Sequence, residues 1–168
     1  MTNSFTLVFS TSYAWQSAVI RWLCHSPFSH CDLLLPEPAP YGLFGSSDPG
    51  GVTIRRHDYQ KFKVWHKATI KTRLAGDIIN LALSQKDKPF DKSAMWRVMS
   101  TEARDWKLPD AWFCSELFAW ACETAGLFQI VAPKNRITPA DLLLLLNPWI
   151  DPVEFWKTNR PIHKQDSP

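Results

Sequence analysis

Four cysteines and five histidines are the side chains of this 168-residue chain best suited to nucleophilic or metal chemistry, and their settings differ. Cys114 lies at the front of the segment DAWFCSELFAWACETAG, in the first turn of an expected helix, where unpaired backbone amides and the positive end of the dipole favour a thiolate. The plainer alternative is a buried small hydrophobe, the usual state of a free cysteine, and that description covers Cys122 two turns further along. A thiol nucleophile needs a base within hydrogen-bond reach, and the base needs an orienting partner. His30 opens an expected strand in FSHCDLLLP, from whose end an imidazole can face a helix terminus, whereas His25, His57, His66 and His163 have less suggestive surroundings. Asp32 stands two residues on, on the same face of that strand, and could orient the imidazole. Cys24, His25, His30 and Cys31 are close in sequence but lack the spacing of a zinc site, and a thiol nucleophile with its base needs neither a metal nor an organic cofactor, so none is expected.

These residues must be positioned by elements that the hydrophobic pattern marks out. FTLVFS at 5–10 reads as a buried strand, with Ser12 offering a cap to a following helix. In that helix Trp15, Ala18, Val19, Trp22 and Leu23 form one apolar stripe, which predicts that it lies on the core. Residues 29–35 read as a strand. The Pro-rich turn PEPAP, a short run YGLF, the turn SSDPGG and VTIRR predict two more strands of an antiparallel meander, and KVWHKATI a further one. A helical pattern starts at Thr72 through RLAGDIINLALSQ, and a second helix is expected near KSAMWRVMS. The Cys114 helix, with Asp110 as its expected cap and Gly126 at its end, is apolar around most of its circumference and should be central. A capped short helix begins near Thr138-Pro139. The fold class expected is α+β, an antiparallel sheet packed against helices, in one domain over residues 1–156 with a polar, mobile tail over 157–168.

The composition bounds the function. Hydrophobic residues at 45% and charged residues at 21% indicate a globular chain. A net charge of +3 spread over short pairs such as Arg55-Arg56 gives nucleic-acid binding no support. No apolar run is long enough for a transmembrane span, and the N-terminus MTNSFTLVFSTS lacks the features of a signal peptide. Cytoplasmic synthesis with free thiols is therefore expected, with release or injection open if the source is a phage. Nine Trp and ten Phe suit a core, an apolar groove or a partner surface, and Trp112 and Phe113 flank the candidate nucleophile.

The combination of PFSHCDLLLP, a glycine-containing turn and GGVTIRR with WFCSELFAWACETAGL resembles the circularly permuted, papain-like branch of the NlpC/P60 superfamily, related to the YiiX-like and lecithin:retinol acyltransferase-like proteins. The resemblance spans residues 5 to 145. It implies that His30, at a strand start, is the general base for Cys114, at a helix start, and that Cys114 forms an acyl-enzyme from an amide, ester or thioester, the Cys114 amide helping to hold the oxyanion. The chain departs from the pattern twice. Tyr41-Gly42-Leu43-Phe44-Gly45 lacks the polar third residue, for which Asp32 substitutes with Ser46, Ser47 and Asp48 as rivals, and Pro89-Phe90 stands where relatives often carry PY. Glu116 is expected to be structural, because it points about 200° away from Cys114 on the helix. The substrate implied is a peptide or peptidoglycan amide; a lipid acyltransferase or thioesterase acting on an acyl lipid, and a non-catalytic phage or prophage binding or structural module, are the alternatives.

Overall fold

A computed structural model of the chain describes residues 3–35, 42–91, 110–131 and 137–158. Its framework is five antiparallel strands: β1 (Ser4–Ser12), β2 (His30–Leu35), β3 (Gly42–Ser47), β4 (Gly51–Arg56) and β5 (Phe62–Lys71), in the spatial order β4-β3-β2-β1-β5. The helices are α1 (Trp15–Cys24), α2 (Ala75–Leu83), α3 (Cys114–Thr124), α4 (Pro139–Leu146) and α5 (Pro152–Thr158). The α+β architecture expected from the sequence is thus present.

Strand β1 lies between β2 and β5, pairing Ser10 with His30 and Trp65, and Leu7 with Leu33 and Ala68. A strand in that position has both edges paired, and Leu7 to Thr11 are buried whichever face they point to. One face, with Leu7, Phe9, Cys31, Leu33, Phe44, Ala68 and Ile70, joins the buried residues of α2, α3 and α4 in a single core. Helix α3 packs on α2, α4, β2 and β3, and every residue from Cys114 to Ala119 is buried. Ser115 Oγ donates to Ile137 O at 2.6 Å, fixing α3 to the segment that leads into α4. The Thr138–Asp141 capping box then starts α4 with Pro139 in its first turn. Gly126 follows α3 with φ of 84°, a conformation that glycine adopts without strain.

Gly51, with φ of 67°, allows β4 to come directly against the turn after α2. A Cβ there would collide with Lys88 O, the acceptor for Val52 N–H at 2.9 Å.

Several expectations are corrected. Ser12 ends β1 rather than capping α1: the cap position is Ala14, whose N–H is accepted by Ser12 Oγ at 3.3 Å. Asp110 does not cap α3, whose cap position is Phe113; Asp110 has φ of 68° and pairs with Lys88 at 3.2 Å. Helix α1 does not lay its apolar stripe on the core, since Trp15 is 67% and Trp22 74% exposed. Periodicity defines a stripe but not what covers it. The PEPAP turn, the helix near KSAMWRVMS and His163 lie outside the described residues. Helix α5 runs to Thr158, past the expected start of the tail, and residues 159–168 are also outside.

The run of five leucines in α4 tests the packing. Leu142 and Leu146 are fully buried, whereas Leu144 is 73% exposed. Leu142→Ala should cost about 2–5 kcal/mol in urea unfolding, and Leu144→Ala should stay within about 0.5 kcal/mol.

Candidate active site

His30 is positioned by local backbone chemistry just ahead of β2. Ser26 Oγ accepts from Phe28 N–H at 3.0 Å, Thr11 Oγ1 donates to Pro27 O at 2.7 Å, and Ser29 N–H donates to Ser10 O at 3.0 Å. Phe28 is buried against Phe9, with ring centroids 5.7 Å apart. The chain therefore enters β2 along a fixed path, and His30 lies at its first position, where α3 begins.

Cys114 is the first residue of α3, so its own N–H and those of Ser115 and Glu116 have no acceptor within the helix. Its sulfur is within hydrogen-bonding contact of the His30 ring and of both the thiol and the backbone N–H of Cys31. His30 Nε2 stands 3.0 Å from Asp32 Oδ2, an ion-pair approach in which the ring N–H is not aligned on the oxygen. Tyr59 donates to the same oxygen at 3.4 Å and accepts from Gln60 Nε2 at 3.0 Å. All three sequence-predicted residues, Cys114, His30 and Asp32, are thus brought together.

The electrostatics follow from burial and these contacts. Desolvation alone would lower the His30 pKa, but the Asp32 carboxylate outweighs it and, with Cys114, pushes it up to about 10. Desolvation opposes ionisation of Cys114 too; hydrogen bonding from the Cys31 thiol and the His30 charge overcome it and hold Cys114 well below the ordinary thiol value. The Cys31 thiol is pushed well above that value by its own burial and by Cys114, so it stays protonated and acts as donor. Burial pushes the Tyr59 hydroxyl up, keeping it a donor to Asp32. The resting pair is imidazolium and thiolate.

The other candidates sort by position. Ser46 Oγ donates to Trp112 O at 2.5 Å, a bond to backbone that leaves the imidazole to Asp32. Ser47 and Asp48 line the cleft beside His30. His66 packs edge-on to Phe28, while His25 and His57 are exposed. Cys122 is buried and pushed up to about 12 by desolvation. Trp112 packs on Trp120 with centroids 5.2 Å apart, whereas Phe113 lines the cleft. Glu116 is buried in the core side of α3, away from the cleft lining.

Three participants were not legible in the sequence. Cys31 alternates to the core face of β2, so its approach to Cys114 depends on how α3 lies across the sheet. Tyr59 comes from the β4–β5 turn. Gly45 is the third: a Cβ on it would overlap Asp32 Oδ1. The glycine run of β3 that lacks a polar third residue is therefore the space that the Asp32 carboxylate fills.

A cleft of about 450 Å³ opens over Cys114 and His30. Ser12, Ala14, Gln16, Ser17 and Ile20 form one wall, and Ser47, Asp48, Gln60, Phe90 and Phe113 form much of the rest.

No protein-family model matches the chain, and no curated protein matches it. Among solved structures it is similar to the crystal structure of the metalloprotein YiiX from Escherichia coli O157:H7, with 17% identity and a TM-score of 0.52 over 76% of this chain and 68% of that one. The likeness shows a YiiX-like fold. Among the described residues, no group of three or more His, Cys, Asp or Glu side chains is arranged to hold a metal ion.

Iodoacetamide alkylation reads the thiolate directly. Cys114 should react with an inflection well below the free-thiol value of about 8.5, and His30→Ala should move the inflection up to that value or beyond, with Cys122 unreactive as the internal control. Cys31→Ala should raise the inflection by a smaller amount, and Cys31→Ser, which keeps a donor, should restore it. Gly45→Ala should raise it as well by forcing Asp32 away from His30, and Asp32→Asn should do the same without adding bulk. An inflection indifferent to all four changes would contradict this arrangement.

Proposed function

We propose that the chain is a cysteine-dependent hydrolase that cleaves an amide bond through an acyl-enzyme on Cys114, within the permuted papain-like NlpC/P60 superfamily. The observation that supports it is the convergence of Asp32, His30 and Cys114 on one cleft, with the sulfur at a helix N-terminus and the imidazole between sulfur and carboxylate.

The thiolate of Cys114 attacks the carbonyl carbon, and the displaced π pair becomes an oxyanion that the Cys114 backbone N–H can meet. The His30 imidazolium gives its proton to the leaving nitrogen, the C–N bond breaks, and a thioester remains on Cys114. Neutral His30 then takes a proton from water, the hydroxide adds to the thioester, and the thiolate leaves with the acid product, restoring the ion pair. Asp32 acts throughout as a positioning residue, keeping the imidazolium charged and turned towards the sulfur.

Peptide or peptidoglycan amides are the substrate class that the family resemblance suggests. A second reading, transfer or hydrolysis of a lipid acyl group, is favoured by the apolar side chains of Ile20, Phe90 and Phe113 in the lining of the cleft. The description of YiiX as a metalloprotein would suggest a metal-dependent reaction, but the described residues supply no ligand set for one, and no step here runs through a metal.

Incubation with activated amide, ester and thioester substrates, followed by intact-mass analysis, should reveal an acyl adduct on Cys114. Cys114→Ser should abolish turnover, and Asp32→Asn should slow acylation by about 10²-fold or more. The kcat/KM profile should fall towards acid as the thiolate protonates and towards alkali near pH 10 as His30 loses the proton owed to the leaving group. No acyl adduct on the wild-type chain, with biological activity unchanged by Cys114→Ser, would leave the binding-module alternative in its place.

A further inference from the structure

Helix α1 is amphipathic in the opposite sense to a core helix. Gln16, Ser17 and Ile20 turn inward to line the cleft, and none of the described side chains of α1 is fully buried. On the other side, at i, i+3 and i+7, Trp15, Ala18 and Trp22 are exposed, and Tyr13 precedes them at 72% exposure. Large rings left in water on one stripe forfeit the apolar stabilisation they would gain if covered.

What covers the stripe is indicated by its chemistry. Trp and Tyr combine an apolar body with a polar edge and favour the boundary between lipid headgroups and acyl chains. The first acidic residue of the chain is Asp32, so nothing before it repels an anionic headgroup. Arg21 in the last turn of α1 and His25 at its C-cap are the basic groups beside the stripe; Arg21 is half-buried, with its Nε inside and without a hydrogen-bond partner among the described residues. No described helix is long and apolar enough to cross a membrane, whereas a ten-residue helix with one aromatic face needs only to lie on its surface.

We propose that the outer face of α1 docks the protein on an anionic lipid surface, with the cleft wall of the same helix turned towards Cys114. The docking stands on exposure and charge alone; that it brings an acyl lipid to Cys114 rests on the reading of the cleft given above.

The test is co-sedimentation of the full chain with vesicles of phosphatidylcholine alone and of phosphatidylcholine and phosphatidylglycerol in equal parts, together with tryptophan emission. Binding to the anionic vesicles with a blue shift is expected, weaker on the zwitterionic ones. The double change Trp15→Ser and Trp22→Ser should reduce the bound fraction about tenfold. Trp156→Ser, which removes an equally exposed ring from α5, should leave it unchanged. Unaltered circular dichroism and Cys114 alkylation in the double variant would show that the fold is kept. Cys114→Ser should bind as wild type does, so that docking and catalysis fail separately. No binding to anionic vesicles, or binding insensitive to the double change, overturns the proposal. So does a dimer in solution that the double change dissociates, since the stripe would then serve a second copy of the chain.

Discussion

Asp32 carries its carboxylate to a position only 1% exposed, and a charge so placed costs several kcal/mol unless a counter-charge and hydrogen-bond donors stand beside it. Much of the site can be derived from how that cost is offset. His30 supplies the positive charge at 3.0 Å, Tyr59 a donor at 3.4 Å, and Gly45 the empty volume without which the carboxylate has no place in the sheet. The His30 charge, sustained by Asp32, in turn stabilises a negative charge on Cys114. Cys31, protonated because it is buried next to that thiolate, adds a donor on the far side. The sequence of groups is therefore carboxylate, imidazolium, thiolate and thiol, each holding its neighbour in the form that chemistry at Cys114 requires.

Such a sequence works only if the strand and helix that carry it do not move relative to each other. The constraint comes from packing and from a few buried bonds. α3 is enclosed by two helices and two strands, Ser46 of β3 bonds the backbone of Trp112 just before it, and Ser115 bonds the backbone of Ile137 on its other side. Both hydroxyls sit in the apolar interior, where an unmet polar group is expensive, so each bond selects one placement of the helix N-terminus. The entry to β2 is fixed in the same way by Thr11 and Ser26. Polar residues buried around Cys114 thus set geometry while the leucines and phenylalanines supply the stability.

The meander, the central helix and its glycine end, and the capped α4 were legible because each rests on local rules: alternation, a 3.6-residue period, a φ that suits glycine, a capping box. The helix start at Cys114, the strand start at His30 and the two-residue spacing to Asp32 are local features too, but the choice of His30 and Cys114 as a pair came from the family resemblance, and the fold brings the three together. The parts that escaped depend on distance in sequence. Gly45 read as a gap in the motif because a sequence does not display a neighbour's side chain filling that gap. Cys31 read as a core residue, which it is, without any sign that the core at that point includes the sulfur of Cys114. The two misplaced caps have a simpler origin: Ser12 and Asp110 have suitable side chains, but each helix starts two or more residues later.

The error at α1 is of another kind. Its stripe of Trp15, Ala18, Val19, Trp22 and Leu23 has the period of a core helix, and the period is really there; with Trp15, Ala18 and Trp22 exposed and Val19 only half-buried, what is wrong is the inference from apolar to interior. A hydrophobic period states that one side of a helix avoids water, and a protein core, a second chain and a lipid boundary all answer that demand. Composition helps to separate them. The buried apolar side chains of this protein are mostly Leu, Ile, Val, Phe and Ala, with Trp112 among them, whereas the outward face of α1 carries Trp15 and Trp22, with Tyr13 just before it, and α1 has no carboxylate. The inward face has its own explanation, because Gln16 and Ser17 border a cleft open to water. A helix that borders a water-filled cleft on one side and turns aromatic rings outward on the other meets two different surroundings, and its period alone names neither.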